Sequence, residues 1–223
     1  MRHRNKPWVK QELAKYDDTL LFTKPREYSG KWREVFENEL PVYLEVGTGK
    51  GHFVTTHAQN NPSINFIGFE VQQVVIYYAV KKAAEKELQN IAFINDDVKD
   101  ITEIFGTGEV DKIYINFCDP WPKKKHAKRR LTHRNFLTKY KQVLKPEGIM
   151  EFKTDNSDLF EFSLAEFAEM GLKVWNVTRD LHKTQERGVD LPKEGIVLTE
   201  YEENFIKKGL SIYYLKAGFH PNL

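Results

Sequence analysis

Val42-Tyr43-Leu44-Glu45-Val46-Gly47-Thr48-Gly49-Lys50-Gly51 runs from an apolar stretch straight into three closely spaced glycines. β-Branched and aromatic residues dominate Val42–Val46, so the run reads as a buried strand. The glycines then supply backbone conformations that other residues resist, and they let the chain pass close to a ligand. A helix-like stretch continues to Asn60, and Ile64 to Phe69 reads as a second buried strand that ends at Glu70. Strand, glycine turn, helix and strand make one βαβ unit.

An acid about 20 residues beyond such a turn, at the end of the second strand, suits a ribose hydroxyl. Glu70 takes that position relative to Gly47, Gly49 and Gly51. The spacing is G-x-G-x-G with Glu45 on the strand before it, unlike the G-x-G-x-x-G of dinucleotide sites. A carboxylate there would repel a pyrophosphate, whereas it interacts favourably with the cationic end of S-adenosylmethionine. Similar E-x-G-x-G turns open many class I methyltransferases. Asp97, after a third short strand at Ile91–Ile94, is placed for a polar contact to adenine. Tight turns need glycine on steric grounds alone, and Asp97 also suits a helix N-cap, so these alternatives stand beside the cofactor reading.

Further elements follow outward from this unit. A helical face at Lys31–Glu39 precedes it. A long helix over about 72–88 and a weak one closing at Phe105-Gly106 flank the third strand, and Lys112–Phe117 is a fourth. A helix over His133–Leu144, a strand over Gly148–Lys153 and a helix over Asn156–Met170 come next. Leu172–Val177 and Leu210–Leu215 are the last strands. This alternation indicates an α/β fold, a doubly wound, mostly parallel sheet of about seven strands; the resemblance of the E-x-G-x-G turn to class I methyltransferases implies their Rossmann-like fold, in which the last strand is antiparallel. Residues 1–20, polar and basic, are read as an N-terminal arm that is flexible unless a partner orders it, and residues 21–223 as a single methyltransferase domain.

The composition, 40% hydrophobic and 30% charged over 223 residues, is that of a soluble globular protein. No apolar stretch nears the roughly 20 residues that span a bilayer, and the first residues lack a secretory h-region. The single cysteine, Cys118, has no partner for a disulfide or thiolate site and reads as a packed thiol. A cytoplasmic location is expected. The seven histidines are scattered and no carboxylate pair has a compelling spacing, so no metal is expected.

Net charge is only +2, but it is unevenly placed. From Pro120 to Pro146 there is no Asp or Glu, and Lys123, Lys124, Lys125, Lys128, Arg129, Arg130 and Arg134 crowd that span. The segment Asn116-Phe117-Cys118-Asp119-Pro120-Trp121-Pro122-Lys123-Lys124-Lys125-His126-Ala127-Lys128-Arg129-Arg130-Leu131 puts one carboxylate at the carboxyl end of the fourth strand, where open α/β sheets bind ligands. Lysine and arginine attract phosphates whatever the base sequence, and an aromatic face such as Trp121 can stack on an unpaired base. An arbitrary charge run is more often a solvated surface, and Trp121 can equally pack under the loop.

This segment resembles the D-P-W-P-K-K-x-H-x-K-R-R hallmark of the bacterial tRNA (guanine-N7-)-methyltransferase family. Lys153-Thr154-Asp155-Asn156 is similar to its K-T-D-N, and Thr199-Glu200-Tyr201-Glu202 to its T-x-Y-E; the motifs occur in family order. The resemblance implies methyl transfer from S-adenosylmethionine to N7 of a guanosine in tRNA, in the variable loop. It implies cofactor contacts at Glu45, Glu70, Asp97 and Asp119 together with the glycine turn. Substrate contacts are implied at Lys123, Asp155 and Thr199, Glu200, Tyr201 and Glu202, and an RNA grip at Lys125, His126, Ala127, Lys128, Arg129 and Arg130. Val98 stands where the pattern has alanine, and His182–Leu198 is longer than the usual connection. Guanine N7 carries a free lone pair, so the residues have mainly to position it, and a carboxylate beside the ring favours arriving positive charge. Asp119 is the first candidate for that catalytic role and Asp155 the second; holding the base by its Watson–Crick edge is the alternative role for Asp119. Monomer and homodimer are both compatible with the sequence.

Overall fold

The computed structural model describes residues 7–185 and 197–220. In chain order the elements are α1 (Pro7–Leu13), β1 (Leu21–Phe22), α2 (Trp32–Val35), β2 (Val42–Val46), α3 (His52–Asn60), β3 (Asn65–Phe69), α4 (Gln73–Glu85), β4 (Ile91–Ile94) and α5 (Ile101–Ile104). They continue with β5 (Val110–Asn116), α6 (Arg134–Val143), β6 (Leu144–Thr154), α7 (Ser157–Glu169), β7 (Lys173–Thr178), α8 (Leu181–Gln185), α9 (Glu200–Lys207) and β8 (Tyr213–Gly218).

The apolar runs become strands covered on both faces, because each feeds two layers at once. In β3, Phe66 packs with Phe53, Val54 and Val80 on one side, while Ile67 and Phe69 pack with Leu44, Val46 and Ile94 on the other. The strands form one sheet in the order β1-β4-β3-β2-β5-β6-β8-β7. Neighbours pair in parallel except across β8, which runs antiparallel to both β6 and β7. The strand order reverses direction between β2 and β5, and the crevice beyond their carboxyl ends is where such sheets bind ligands. The expected antiparallel last strand is present, lying over Tyr213–Gly218 rather than Leu210–Leu215.

Two expectations are corrected, and the sheet gains one short strand. The arm over residues 1–20 does not describe residues 7–20: Pro7 opens a helix whose Val9 and Leu13 are buried among α4 and β4 side chains, with the Trp8 ring edge-on to Tyr77 at 5.2 Å. Burying two such apolar side chains stabilises by about 1.5–3 kcal/mol each, which outweighs the low periodicity of the segment. The sheet, expected with about seven strands, has eight among the described residues, the additional one being the two-residue strand Leu21–Phe22 beside β4. A strand that short carries no alternation to read. The helix expected over Lys31–Glu39 closes after Val35, since the Asn38 side chain donates to the Phe36 carbonyl and accepts from the Leu40 N–H, offering the backbone a turn instead.

Candidate active site

β2 and the turn after it bring the first acids together. Gly47, Gly49 and Gly51 have φ of 78°, 58° and 73°, the left-handed region that favours glycine. The Phe69 carbonyl accepts from the N–H groups of Gly47 and Thr48, which stitches the turn to the end of β3. A Cβ at Gly47 or Gly49 would meet open space, whereas one at Gly51 would lie 2.5 Å from Cβ of Ala79 on α4. The first two glycines therefore keep the turn open to a ligand, and the third lets α3 start against α4.

Glu45 lies under this turn with only 3% of its surface exposed. It accepts from Thr48 Oγ1 at 2.5 Å and from Asn116 Nδ2 at 3.0 Å. Burial pushes its carboxyl up to about 7, against the pull of those two hydrogen bonds and of nearby Lys153, and Glu70 adds to the rise. Glu70 accepts from the backbone N–H groups of Gly49 (3.1 Å) and Gln72 (2.9 Å), and Asn95 holds its carbonyl at 2.8 Å. Its carboxyl is also raised, by burial first and by Asp119 as well, opposed by those N–H groups. Glu45, Glu70 and Asp119 thus share one electrostatic neighbourhood at the ends of β2, β3 and β5. Asp97 follows β4, accepts from the Lys99 N–H at 3.0 Å and caps the short turn Val98–Asp100.

These residues fit a cationic nucleoside cofactor. The turn is open at Gly47 and Gly49, carboxylates line strand ends around it, and the buried Asn116 Oδ1 has no hydrogen-bond partner among the described residues.

Beyond β5 the backbone is unusual. Phe117 and Trp121 have φ of 49° and 41°, and between them Asp119 is exposed. Arg130 holds this loop: its guanidinium donates to the carbonyls of Pro120 (2.9 Å) and Trp121 (3.1 Å) and stacks on Phe162 at 4.2 Å. Arg129 lies over the Trp121 ring at 4.9 Å, and His126 meets the same ring edge-on at 5.7 Å. Trp121 thus packs within its own loop. Lys123, Lys124, Lys125 and Lys128 are exposed around the turn Lys124–Arg129, with Ala127 half-buried among them. Cys118 is a packed thiol, its pKa pushed up to about 12 by burial and by Asp119.

Asp155 is exposed at the end of β6, the strand next to β5. Thr199 begins α9 with a capping box, its hydroxyl accepting from the Glu202 N–H at 3.0 Å. Tyr201 is 65% exposed and stacks on Phe117 with ring centres 6.3 Å apart. Glu202 differs from the substrate contact implied by its motif: it is fully buried and paired with Lys153. Glu200 begins α9. Most of the long connection His182–Leu198 lies outside the described residues. Thr48, Asn116, Phe117 and His182 carry no role on sequence reading; the alternation along β5 leaves Asn116 as a polar residue at the end of an apolar strand, which is the one signal available.

A family model described as a putative methyltransferase matches residues 39–215. The chain is 47% identical over 222 residues to a tRNA (guanine-N(7)-)-methyltransferase of Halalkalibacterium halodurans, covering 100% of this chain and 97% of that one. It is 46% identical over 213 residues to the enzyme of the same description from Bacillus subtilis, covering 96% of each. Among solved structures, the 16S rRNA methyltransferase KamB matches with a TM-score of 0.63 at 14% identity, over 86% of this chain and 93% of that one. A SAM-dependent methyltransferase from Aquifex aeolicus matches with a TM-score of 0.53 at 15% identity, over 94% and 97%. At those identities the structural likeness speaks for the fold, and the fold is that of class I methyltransferases. The full-length similarity at close to half identity goes further: this chain belongs to the tRNA (guanine-N(7)-)-methyltransferase family.

Proposed function

We propose that the chain methylates N7 of a guanosine in tRNA with S-adenosylmethionine as donor. The observation that carries this is one junction: Asp119 stands within electrostatic reach of Glu70 at the glycine turn, and the exposed lysines of the next nine residues continue from it. A pocket for a cationic cofactor and a surface for phosphates share an edge.

When bound, the cofactor supplies an electrophilic methyl group. Glu45 and Glu70 line the pocket with carboxyl groups whose ionised form the positive charge of the cofactor would favour, with Gly47 and Gly49 leaving room for close approach and Asp97 available to the adenine. Lys123, Lys125 and Lys128 draw the RNA backbone through phosphates, which supplies affinity and orientation without reading sequence. Asp119 faces the guanine as positive charge arrives on the ring, and Asp155 stands on the adjacent strand end as the second carboxylate. No base is needed to remove a proton from N7, so the site works by placement and by charge. The cytoplasm, which holds tRNA, is the compartment this reading requires; among the described residues no helix is long and apolar enough to cross a membrane.

The test is incubation of the purified chain with unmodified tRNA and labelled S-adenosylmethionine, followed by digestion to nucleosides. N7-methylguanosine is the expected product. Asp119→Ala is expected to lower kcat by about a hundredfold or more while leaving tRNA affinity within about threefold. Label in any other nucleoside overturns the substrate assignment, and equal loss of turnover and affinity overturns the role of Asp119.

A further inference from the structure

Glu202 is the most withdrawn acid near the site, with none of its surface exposed, and its partners lie inside the chain. Lys153 Nζ donates to Oε2 at 3.2 Å and lies 3.5 Å from Oε1. His182 Nε2 stands 3.4 Å from Oε1, and the Thr199 N–H reaches Oε2 at 3.4 Å. Lys153 is itself 5% exposed at the end of β6, and also donates to the Val197 carbonyl at 3.5 Å. Although burial opposes ionisation, His182 and Lys153 hold the Glu202 carboxyl below its ordinary value, and Lys153 lies at salt-bridge distance from it.

A buried ion pair contributes little net stability compared with apolar residues of the same volume, but it fixes geometry. Here it fixes the first turn of α9. Tyr201, next to Glu202, is exposed and stacks on Phe117, and Phe117 in turn stacks on Phe205 at 6.1 Å and 10°. Phe117 lies two residues before Asp119.

We propose that Glu202 and Lys153 are positioning residues: their buried pair pins the start of α9 to the end of β6, so that Tyr201 is presented beside Phe117 at the mouth of the site for stacking on the substrate base. Glu202 then serves the substrate through Tyr201 and never touches it. The inference rests on the tRNA-methylating function proposed above.

The experiment is a double-mutant cycle on tRNA KM with Glu202→Gln, Tyr201→Ala and the pair, alongside hydrogen exchange of the α9 amides. Glu202→Gln is expected to raise tRNA KM about tenfold, with cofactor KM within about twofold, and to speed exchange in α9 alone. In the Tyr201→Ala background it should add less than about twofold. Thr199→Ala, which loosens the same turn without exposing a buried charge, should reproduce the effect if Glu202→Gln does not fold. Additive losses, an unchanged tRNA KM, or equal losses for tRNA and cofactor overturn the proposal. Absence of N7-methylguanosine from the wild-type chain instead overturns the function on which it rests, and the exchange of α9 then still decides whether the pair is an anchor.

Discussion

Glu45 carries a carboxyl that the fold holds away from water yet keeps chemically poised. Its ordinary value is 4.5 and burial pushes it up to about 7. Because the folded state holds the proton more tightly than the unfolded chain, Glu45 favours folding below about pH 4.5, and that contribution fades as pH rises through about 7. Thermal melts of the wild type and Glu45→Gln should therefore converge at acidic pH, with the wild type losing ground between about pH 5 and pH 8; parallel curves would contradict a raised carboxyl. The glycines make a different point. In the sequence Gly47, Gly49 and Gly51 look equivalent, and only the approach of Ala79 tells the third apart. Gly51→Ala combines a left-handed backbone with a Cβ pressed against α4, so it should lower stability by about 2 kcal/mol or more in denaturant titration. The acids at strand ends were legible because their positions follow from where apolar runs stop. Glu202 was not, since nothing in T-x-Y-E says which of its side chains turns inward.

Among elements, the basic turn after β5 divides into residues that hold it and residues that face water. Arg130 commits its guanidinium to two loop carbonyls and to Phe162, whereas Arg129, though it lies over Trp121, stays exposed like Lys125 and Lys128. Charge counting along the sequence treats all four alike. Lys125→Gln with Lys128→Gln should reduce the slope of log affinity for tRNA against log salt by about 1.5, near 0.7–0.9 for each phosphate that is no longer neutralised, without changing kcat at saturating tRNA. A filter-binding series over salt measures it, and an unchanged slope would remove these lysines from the RNA surface. Elements with strong periods, β2 to β6 with α3, α4, α6 and α7, were readable from apolar spacing. The helix α1 was not, because its stability comes from the side chains it lands on, and β1 was too short for any pattern.

At the scale of the whole molecule, the sheet order places Glu45, Glu70, Asp97, Asp119 and Asp155 on one edge of the structure, along the carboxyl ends of β2, β3, β4, β5 and β6. Alternation of strands and helices made that architecture legible, while the position of each strand in the sheet came from pairing that a single chain does not spell out. β8 follows all other strands in the chain yet sits inside the sheet, between β6 and β7, and its antiparallel course is what joins them. Synthesis from the ribosome is vectorial, and a domain folds as a unit once its parts have emerged. Until β8 has left the exit tunnel, β6 has an open edge and β7 has no neighbour in the sheet, so the half of the pocket that carries Asp155 and α9 cannot close. The nascent chain thus emerges with its glycine turn, its strand-end acids and its basic run ahead of the one strand that joins β6 to β7.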